Sequence, residues 1–505
     1  MKTKKVLYNI ISDLSFELVA FVCGLLLPKI ILEAYGSAYN GVIQTILRLL
    51  SCISILTLGV NGPTRVAVYK ALAAEDDHKL HGILKANEVY MAKVGLALIG
   101  YMVFLAVCYP YLVRNHFGWW EVASLVMIIG LGEYVSIVFG SSSRILLKAV
   151  QKTYIYTTLM IGSKIASTVI AFALVKKGCG IHYVRMAMVA CFAVAPLLTN
   201  YITKRMYHIN SKVNPDYSAI KQRGDAIAHS LTDIVSDSAP TVLLTLFTNP
   251  IMISIYSVYS LILNNILKIQ KAFTSNLEGA FGEFWAKGEK EKFSKKFCTL
   301  EYLMFAYLLL IYTTTMAMIL PFMRIYTAGV TDANYILPVF ASLFVCSIAS
   351  YSLRTPYIVA VQAAGKYRDT KKMVSKEAVI NITVSLAGIL LWGLNGVVLG
   401  SLVANLYRVF GYAYFCYRKM LDIPMVRFVK RMVWMIVNGV AIIGIQVFLV
   451  NNVMEIADWI QWAIAGFVCV CVAGVILLVS STLMCRKDLM NAIDLVKVML
   501  SRKKK

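Results

Sequence analysis

The sequence predicts an all-α protein, a polytopic membrane helical bundle of about fourteen transmembrane helices. Its 505 residues are 59% hydrophobic and only 15% charged, whereas roughly a quarter of the residues in an average soluble domain are charged. Apolar runs of about 20 residues recur from end to end, each long enough to cross a ~30 Å hydrocarbon core as a helix. The runs are continuous and do not alternate with period two, which favours helices over a β-barrel.

Fourteen apolar runs are predicted to be spans, and the basic residues predict their orientation. The 50 Lys and Arg residues are concentrated in alternate connections and at both chain ends, and basic connections remain in the cytoplasm. Both termini are therefore predicted to be cytoplasmic. The predicted spans are residues 7–31, 41–66, 89–113, 119–141, 154–175, 182–203, 225–248, 250–274, 298–323, 334–357, 376–394, 396–416, 432–451 and 459–484.

The connections between the spans exclude several classes of protein. None contains a G-x-x-x-x-G-K-[ST] phosphate loop, so no ATP hydrolysis is predicted. The outer connections are too short for a catalytic domain, so we predict neither an enzyme nor any catalytic residue. The 11 Cys and 6 His residues do not cluster, and no metal site or cofactor is predicted. The net charge of +24 is dispersed over cytoplasmic connections, which argues against a nucleic-acid partner and favours contact with anionic lipid headgroups.

The second half of the chain repeats features of the first half. The matches keep their order and a nearly constant spacing, which indicates an internal repeat. A six-helix repeat keeps its orientation, so the two copies would be related by an axis along the membrane normal, with a cavity between two lobes. The matching positions are Tyr39 with Tyr256, Gly62 with Gly279, "AVQ" at 149–151 with 360–362, and "SKIA" at 163–166 with "SKEA" at 375–378.

The repeat predicts four regions along the chain. A six-helix N-terminal lobe covers residues 1–205, and a basic cytoplasmic linker covers 206–224. A six-helix C-terminal lobe follows at 225–418. Residues 419–505 hold two extra helices and a basic C-terminal tail.

Six, six and two helices with basic residues inside the spans resemble the MOP superfamily. The segment "YGSAYNGVIQTILRLLSCISILTLGVNGPTRVAVYK" adds to a likeness with its Wzx-type polysaccharide exporters. The resemblance implies a flippase for undecaprenyl-pyrophosphate-linked oligosaccharides, such as O-antigen, capsule or teichoic-acid units, in the bacterial cytoplasmic (inner) membrane. It also implies membrane lipids and other membrane proteins of polysaccharide assembly as partners. Two relatives remain alternatives, a MATE-like H⁺- or Na⁺-coupled antiporter of organic cations and a lipid II flippase.

Polar stripes on the second and eighth spans are candidate substrate-binding surfaces. Spacing of i, i+4 and i+7 places each set of three residues on one helical face, and Lys and Arg suit the phosphate groups of a lipid pyrophosphate. Lys164 lies near the middle of the fifth span, where a lysine is costly, and Lys376 is its repeat counterpart. A hydrogen-bonded seam between helices is the alternative reading of each stripe. The stripes are Gln44, Arg48 and Ser51, and Asn264, Lys268 and Lys271.

Carboxylates near the start of both lobes are candidates for gating or ion coupling. Asp13 and Glu17 share one face of the first span, and His229, Asp233 and Asp237 share one face of the seventh. Ion pairs with cations of the other spans would close an inner gate, whereas binding of H⁺ or Na⁺ would couple transport to a gradient. Purely structural pairing remains a third alternative.

Further charges enter these alternatives as partners of the carboxylates. Arg48, Lys268 and Arg354 are the predicted gate cations. Glu133 stands alone in the fourth span and is predicted to satisfy Lys93 or Lys164, or to take part in ion coupling. Together with the resemblance, these residues predict a flippase that works by alternating access around a cationic cavity.

Overall fold

The computed structural model describes residues 2–210, 213–217, 238–274 and 277–502. Over these residues the chain is helical and contains no strand. The helices are α1 (Lys2–Ser51), α2 (Ser54–Ala73), α3 (Asp77–Leu112), α4 (Trp119–Ala149), α5 (Thr153–Lys176), α6 (Ile181–Met206), α7 (Ser238–Phe247), α8 (Pro250–Thr274), α9 (Leu277–Ala286), α10 (Lys290–Tyr326), α11 (Pro338–Leu353), α12 (Thr355–Ala363), α13 (Tyr367–Trp392), α14 (Leu394–Tyr414), α15 (Met425–Asn452), α16 (Trp459–Met484) and α17 (Arg486–Arg502).

The helices cover the predicted spans, apart from the part of the seventh span that lies outside the described residues. Twelve helical segments of the described residues are long and apolar enough to cross a membrane, where α1 with the start of α2, and α11 with α12, each count as one segment. The first of these, Ile11–Thr57, has 47 residues, about 70 Å at 1.5 Å per residue, which is enough for two crossings. It bends at Gly36, whose φ of 84° is a backbone conformation that glycine adopts without steric cost. The described part of the seventh predicted span is the short helix α7. The protein is thus a polytopic helical bundle.

The described chain divides into two compact units, Met1–Val258 and Tyr259–Lys505. The division falls inside α8, because the first residues of α8 pack against α1 while the rest contacts later helices. In unit 1 the amide of Asn40 donates to the Ser254 hydroxyl at 2.7 Å, and a Cβ at Gly41 would lie 1.8 Å from the carbonyl oxygen of Pro250. The predicted four-region division therefore stays a prediction.

Three consecutive serines of α4 join it to three other helices of unit 1. Successive helical residues are rotated by about 100°, so neighbouring hydroxyls reach different partners. The Ser141 hydroxyl donates to Asn61 of α2 at 3.4 Å, and the Ser143 hydroxyl donates to Asn200 of α6 at 3.1 Å. The Asn87 amide of α3 donates to the Ser142 hydroxyl at 2.7 Å. Polar side chains thus fix helix positions where apolar packing alone has little directional preference. 

Close glycine contacts join α13 and α14 into an antiparallel pair in unit 2. A Cβ at Gly396 would lie 1.9 Å from the carbonyl oxygen of Gly388, and a Cβ at Gly400 would lie 2.1 Å from the Ser385 hydroxyl. Small residues allow two helices to approach until their backbones touch. The contacts set one register for the pair, in which residue 377 of α13 faces Arg408 of α14.

Charged residues join α15 and α17 at the C-terminal end of unit 2. Asp488 of α17 accepts from Arg427 at 3.0 Å and from Arg431 at 2.6 Å, both on α15.

Helix α17 follows α16 after one residue, and large apolar side chains on α16, such as Ile460 and Leu483, are exposed. Their exposure is the pattern of helices whose outer faces contact lipid.

Candidate functional site

The strongest concentration of buried charge in unit 2 surrounds Glu377. Arg354, at the junction of α11 and α12, donates through Nη1 to one carboxylate oxygen at 2.8 Å. Arg408 of α14 donates through Nη1 to the other oxygen. The side chains of all three residues are buried. One carboxylate therefore serves two guanidinium groups in an apolar helical environment, where unpaired charge is costly.

The aromatic ring of Tyr351 contacts both the buried Arg354 and the exposed Lys271. The guanidinium carbon of Arg354 lies 3.5 Å from the ring centroid of Tyr351, and Lys271 Nζ lies 5.2 Å from the same centroid. Lys271 is exposed, and its Nζ is 3.5 Å from the Tyr351 hydroxyl. Both contacts are within the range of cation–π attraction. We call Lys271, Tyr351, Arg354, Glu377 and Arg408 the cationic cluster.

The predicted stripe of the eighth span lies on α8. Asn264, Lys268 and Lys271 are all exposed. Lys268 donates to Asn265 at 3.4 Å, and Asn264 donates to Ser260 at 2.8 Å. The structure thus joins one member of the stripe, Lys271, to the cationic cluster.

The corresponding stripe of unit 1 lies on the part of α1 that follows the bend at Gly36. Gln44, Arg48 and Ser51 are partly exposed. The Ser51 hydroxyl donates to the backbone oxygen of Arg48 at 2.6 Å, so it is satisfied within its own helix. Lys164 is partly exposed on α5, where its backbone oxygen accepts from Thr168 at 2.9 Å.

The predicted carboxylates are only partly within the described residues. Asp13 is exposed and accepts a hydrogen bond from the Thr157 hydroxyl of α5 at 3.1 Å, within unit 1. Glu17 is exposed one turn further along α1. His229, Asp233 and Asp237 lie outside the described residues. Arg354, a predicted gate cation, pairs with Glu377, a carboxylate of its own unit that the sequence does not single out by any local pattern.

Glu133 has a different cation near it from those predicted. Arg144 of α4 interacts electrostatically with the Glu133 carboxylate. The same guanidinium donates to the backbone oxygens of Gly140 and Ser136, both at 3.1 Å, and lies 5.3 Å from the ring centroid of Tyr156. Unit 1 therefore contains its own arginine beside a tyrosine and a carboxylate.

Lys376 lies in the N-terminal half of α13, beside a shallow groove. It is exposed, and the groove is lined by Ser375, Lys376, Val379 and Ile380. The neighbouring residue is Glu377 of the cationic cluster. Lys376 and Glu377 point in different directions because adjacent helical residues are about 100° apart.

A second buried carboxylate, Glu301 of α10, also escaped the sequence analysis. It is fully buried and accepts from Tyr357 at 2.7 Å, from Tyr417 at 2.6 Å and from Arg431. Tyr417 belongs to a π-helical turn, Phe415–Met420, which follows α14. The network is saturated with partners, so it holds helices together and offers no free group to a ligand.

The sequence contains one signal for the missed residue of the cationic cluster. "SKIA" of the first half recurs as "SKEA" in the second half, so Glu377 replaces Ile165. When one repeat has a carboxylate where the other has an apolar residue, the carboxylate indicates a function specific to that repeat. Inside a membrane helix it requires a cation as its partner. Over the described ranges, no group of three or more His, Cys, Asp or Glu residues is arranged to hold a metal ion.

Comparison with known proteins defines the class of fold. The structure resembles the lipid II flippase MurJ in an inward closed conformation, with a TM-score of 0.67 and 12% identity over 95% of this chain and 99% of that chain. It also resembles an inward-facing multidrug resistance MATE family transporter of the MOP superfamily, with a TM-score of 0.60 and 14% identity over 82% of this chain and 98% of that chain. The chain thus shares its fold with a lipid II flippase and with a MATE family transporter of the MOP superfamily.

The outward-facing form of a MATE family transporter is similar at a lower TM-score of 0.54, with 15% identity over 83% of this chain and 95% of that chain. No family model and no curated protein matches the sequence. The similar structures are transporters or flippases by name and not enzymes. The polytopic helical fold of this chain is therefore one that a lipid II flippase and MATE family transporters also have.

Proposed function

We propose that the protein is a flippase for a lipid-linked, anionic oligosaccharide precursor, of the Wzx type. It moves undecaprenyl-pyrophosphate-linked units from the inner to the outer leaflet of the bacterial cytoplasmic membrane for polysaccharide biosynthesis. Transport proceeds by alternating access, and cationic side chains bind the cargo. They include Arg48 and Lys164 in unit 1 and Lys268 in unit 2. Both termini are cytoplasmic, and membrane proteins of polysaccharide assembly are its partners.

The observation that carries this proposal is the cationic cluster of unit 2. Arg354 and Arg408 are buried and share the carboxylate of Glu377, and the exposed Lys271 adds a further positive charge. Charged side chains within membrane helices are retained where they bind or conduct a ligand. A pyrophosphate carries negative charge and several acceptor oxygens, so it suits this cluster. The likeness to a lipid II flippase supports the same class of cargo.

An antiporter of organic cations is the second candidate. It is favoured by the structural likeness to a MATE family transporter and by the carboxylate Asp13 on α1. A cationic cargo would be repelled by Lys268 and Lys271, both exposed on α8. We therefore place this candidate second, with H⁺ or Na⁺ as the coupling ion.

Transport by the purified protein in liposomes tests the choice. One cargo is a fluorescent undecaprenyl-pyrophosphate oligosaccharide, and the other is a fluorescent organic cation with an imposed proton or sodium gradient. We expect movement of the lipid-linked sugar alone. Arg48→Ala and Lys164→Ala are expected to lower its transport at least about tenfold, because each removes a charge-assisted contact.

Lys93→Ala is the matched control, since Lys93 is an exposed lysine of α3 outside the proposed binding residues. It is expected to leave transport unchanged. Gradient-driven movement of the cation without movement of the sugar would replace our proposal by the antiporter.

A further inference from the structure

The cationic cluster contains a hydrogen-bonding edge that the protein itself does not use. Arg354 reaches Glu377 through Nη1. Its Nε is buried and has no hydrogen-bond partner among the described residues. A guanidinium has five N–H donors in a fixed plane, and a buried donor without an acceptor destabilises a protein. The Nε edge of Arg354 is therefore suited to an acceptor from outside the chain.

The charges of the cluster specify what kind of acceptor this is. Lys271, Arg354 and Arg408 are cations, and Glu377 is the carboxylate that they surround. The four residues together hold an excess of two positive charges. A neutral sugar hydroxyl would leave that excess uncompensated, whereas a pyrophosphate with about two negative charges would balance it.

The neighbouring side chains hold the guanidinium in one orientation. Tyr351 covers one face of Arg354 at 3.5 Å from ring centroid to guanidinium carbon, and Glu377 fixes the Nη1 end. Glu377 is held in turn by Arg408. The guanidinium of Arg354 is thus held at Nη1 by Glu377, while its Nε has no partner among the described residues. This arrangement is pre-organised for bidentate binding of phosphate oxygens. Exposed Lys271, beside the same ring, marks the open side of the cluster.

We propose that the Nε edge of Arg354 and the ammonium of Lys271 bind the pyrophosphate of the cargo, with Glu377 and Arg408 as positioning residues. This assignment rests on the proposed flippase function and names the site within unit 2 that recognises the headgroup. It gives Arg354 a role in binding in place of the gating role that its sequence position predicts.

Arg354→Lys separates binding from a purely structural ion pair. Lysine keeps one positive charge for Glu377 but has no planar two-donor edge. An ion pair with Glu377 keeps its positive charge in this variant, whereas the two-donor edge that binds phosphate oxygens is lost. Lys271→Gln removes the exposed cation and breaks no buried pair. Lys93→Gln removes an exposed lysine elsewhere in the chain and is the matched control.

The experiment measures binding to the detergent-purified full chain. The two probes are an undecaprenyl-pyrophosphate oligosaccharide and inorganic pyrophosphate. We expect Arg354→Lys and Lys271→Gln each to weaken binding of the lipid-linked probe about 10-fold to 100-fold, because charge-assisted hydrogen bonds are lost. Lys93→Gln is expected to bind as the wild type does, and all four proteins are expected to elute as the same species in size-exclusion chromatography.

The two probes keep the site and the function separable. Competition by inorganic pyrophosphate that depends on Arg354 would support a phosphate site, and failure to compete would mean that the lipid or sugar part dominates recognition and the assignment is wrong. Undiminished binding and transport of the lipid-linked probe in both variants would overturn the site and leave the flippase intact. Binding of inorganic pyrophosphate at Arg354, without any transport of the lipid-linked cargo, would retain the site and overturn the proposed function.

Discussion

Single buried carboxylates carry much of the organisation of unit 2. Glu301 accepts from two tyrosines and one arginine, and those donors come from α12, the π-helical turn and α15. Tyr357 donates to one carboxylate oxygen, and Tyr417 and Arg431 donate to the other, so both oxygens are paired inside an apolar bundle. Removing the carboxylate would take the acceptor from both tyrosine hydroxyls and leave Arg431 with Asp488 as its carboxylate partner. Loss of one member of a buried charged network is strongly destabilising.

At Glu301 we expect a large loss of stability on Glu301→Gln. The amide cannot neutralise Arg431, so the free energy of unfolding falls by about 3 kcal/mol. The thermal midpoint of the detergent-purified protein measures this loss. The control is Glu283→Gln on α9, whose carboxylate forms an exposed pair with Lys287 and is expected to cause no measurable change. Equal midpoints for the two variants would show that the Glu301 network is not a stabilising element.

Helix pairs set where the residues of the cationic cluster meet. Along α13 and α14 the contacts run in antiparallel order, from Gly388 with Gly396, through Ser385 with Gly400, to Glu377 with Arg408. At Gly388 and Gly396 the two backbones are in direct contact, because neither residue has a side chain between the helices. This backbone contact defines the register. That register places the carboxylate and the guanidinium opposite each other at the other end of the pair.

A methyl group at Gly396 is expected to disturb the cluster from a distance. Gly396→Ala places a Cβ where the Gly388 carbonyl oxygen lies, so α13 and α14 must separate. We expect a loss of stability of about 1–3 kcal/mol, as for other overpacked contacts, together with weaker binding of the lipid-linked probe.

The matched control is Gly444→Ala on α15. A Cβ at Gly444 meets nothing within 4 Å, and alanine is the better helix former by about 1 kcal/mol. We expect this variant to equal or exceed the wild type in thermal midpoint. A lower midpoint in Gly444→Ala than in Gly396→Ala would contradict the role given to the close glycine contact.

At the scale of the whole molecule, the distribution of charge predicts topology. Connections rich in Lys and Arg alternate with connections that have few, and the former are retained in the cytoplasm during insertion. The segment between α3 and α4 is then outside the cell, and the segment that leads into α10 is inside. Both segments contain exposed residues suitable for labelling.

Cysteine labelling in intact bacteria tests this topology. His116→Cys lies between α3 and α4, and Lys292→Cys lies at the start of α10. In a chain whose exposed native cysteines are replaced, a membrane-impermeant maleimide is expected to label residue 116 and to leave residue 292 unlabelled until the cells are opened. The reverse labelling pattern would place both termini outside.

The sequence and the structure agree on some members of the candidate site and differ on others. Lys268 and Lys271 were predicted to share a helical face, and they lie together on α8 because a helical period determines this locally. Arg354 was predicted to be important but with distant carboxylates as partners. Glu377, its actual partner, lies 23 residues away, and no local pattern connects the two positions.

The sequence by itself determined the solvent and the class of this protein. Apolar runs of this length and number fit a membrane and not a soluble fold. Backbone N–H and C=O groups in lipid must be paired within helices, so composition and length predict a polytopic helical bundle. The tertiary structure alone decided which charges meet. Helix rotation and register depend on contacts between residues distant in the chain, such as Gly388 with Gly396, and these contacts place Glu377 between Arg354 and Arg408.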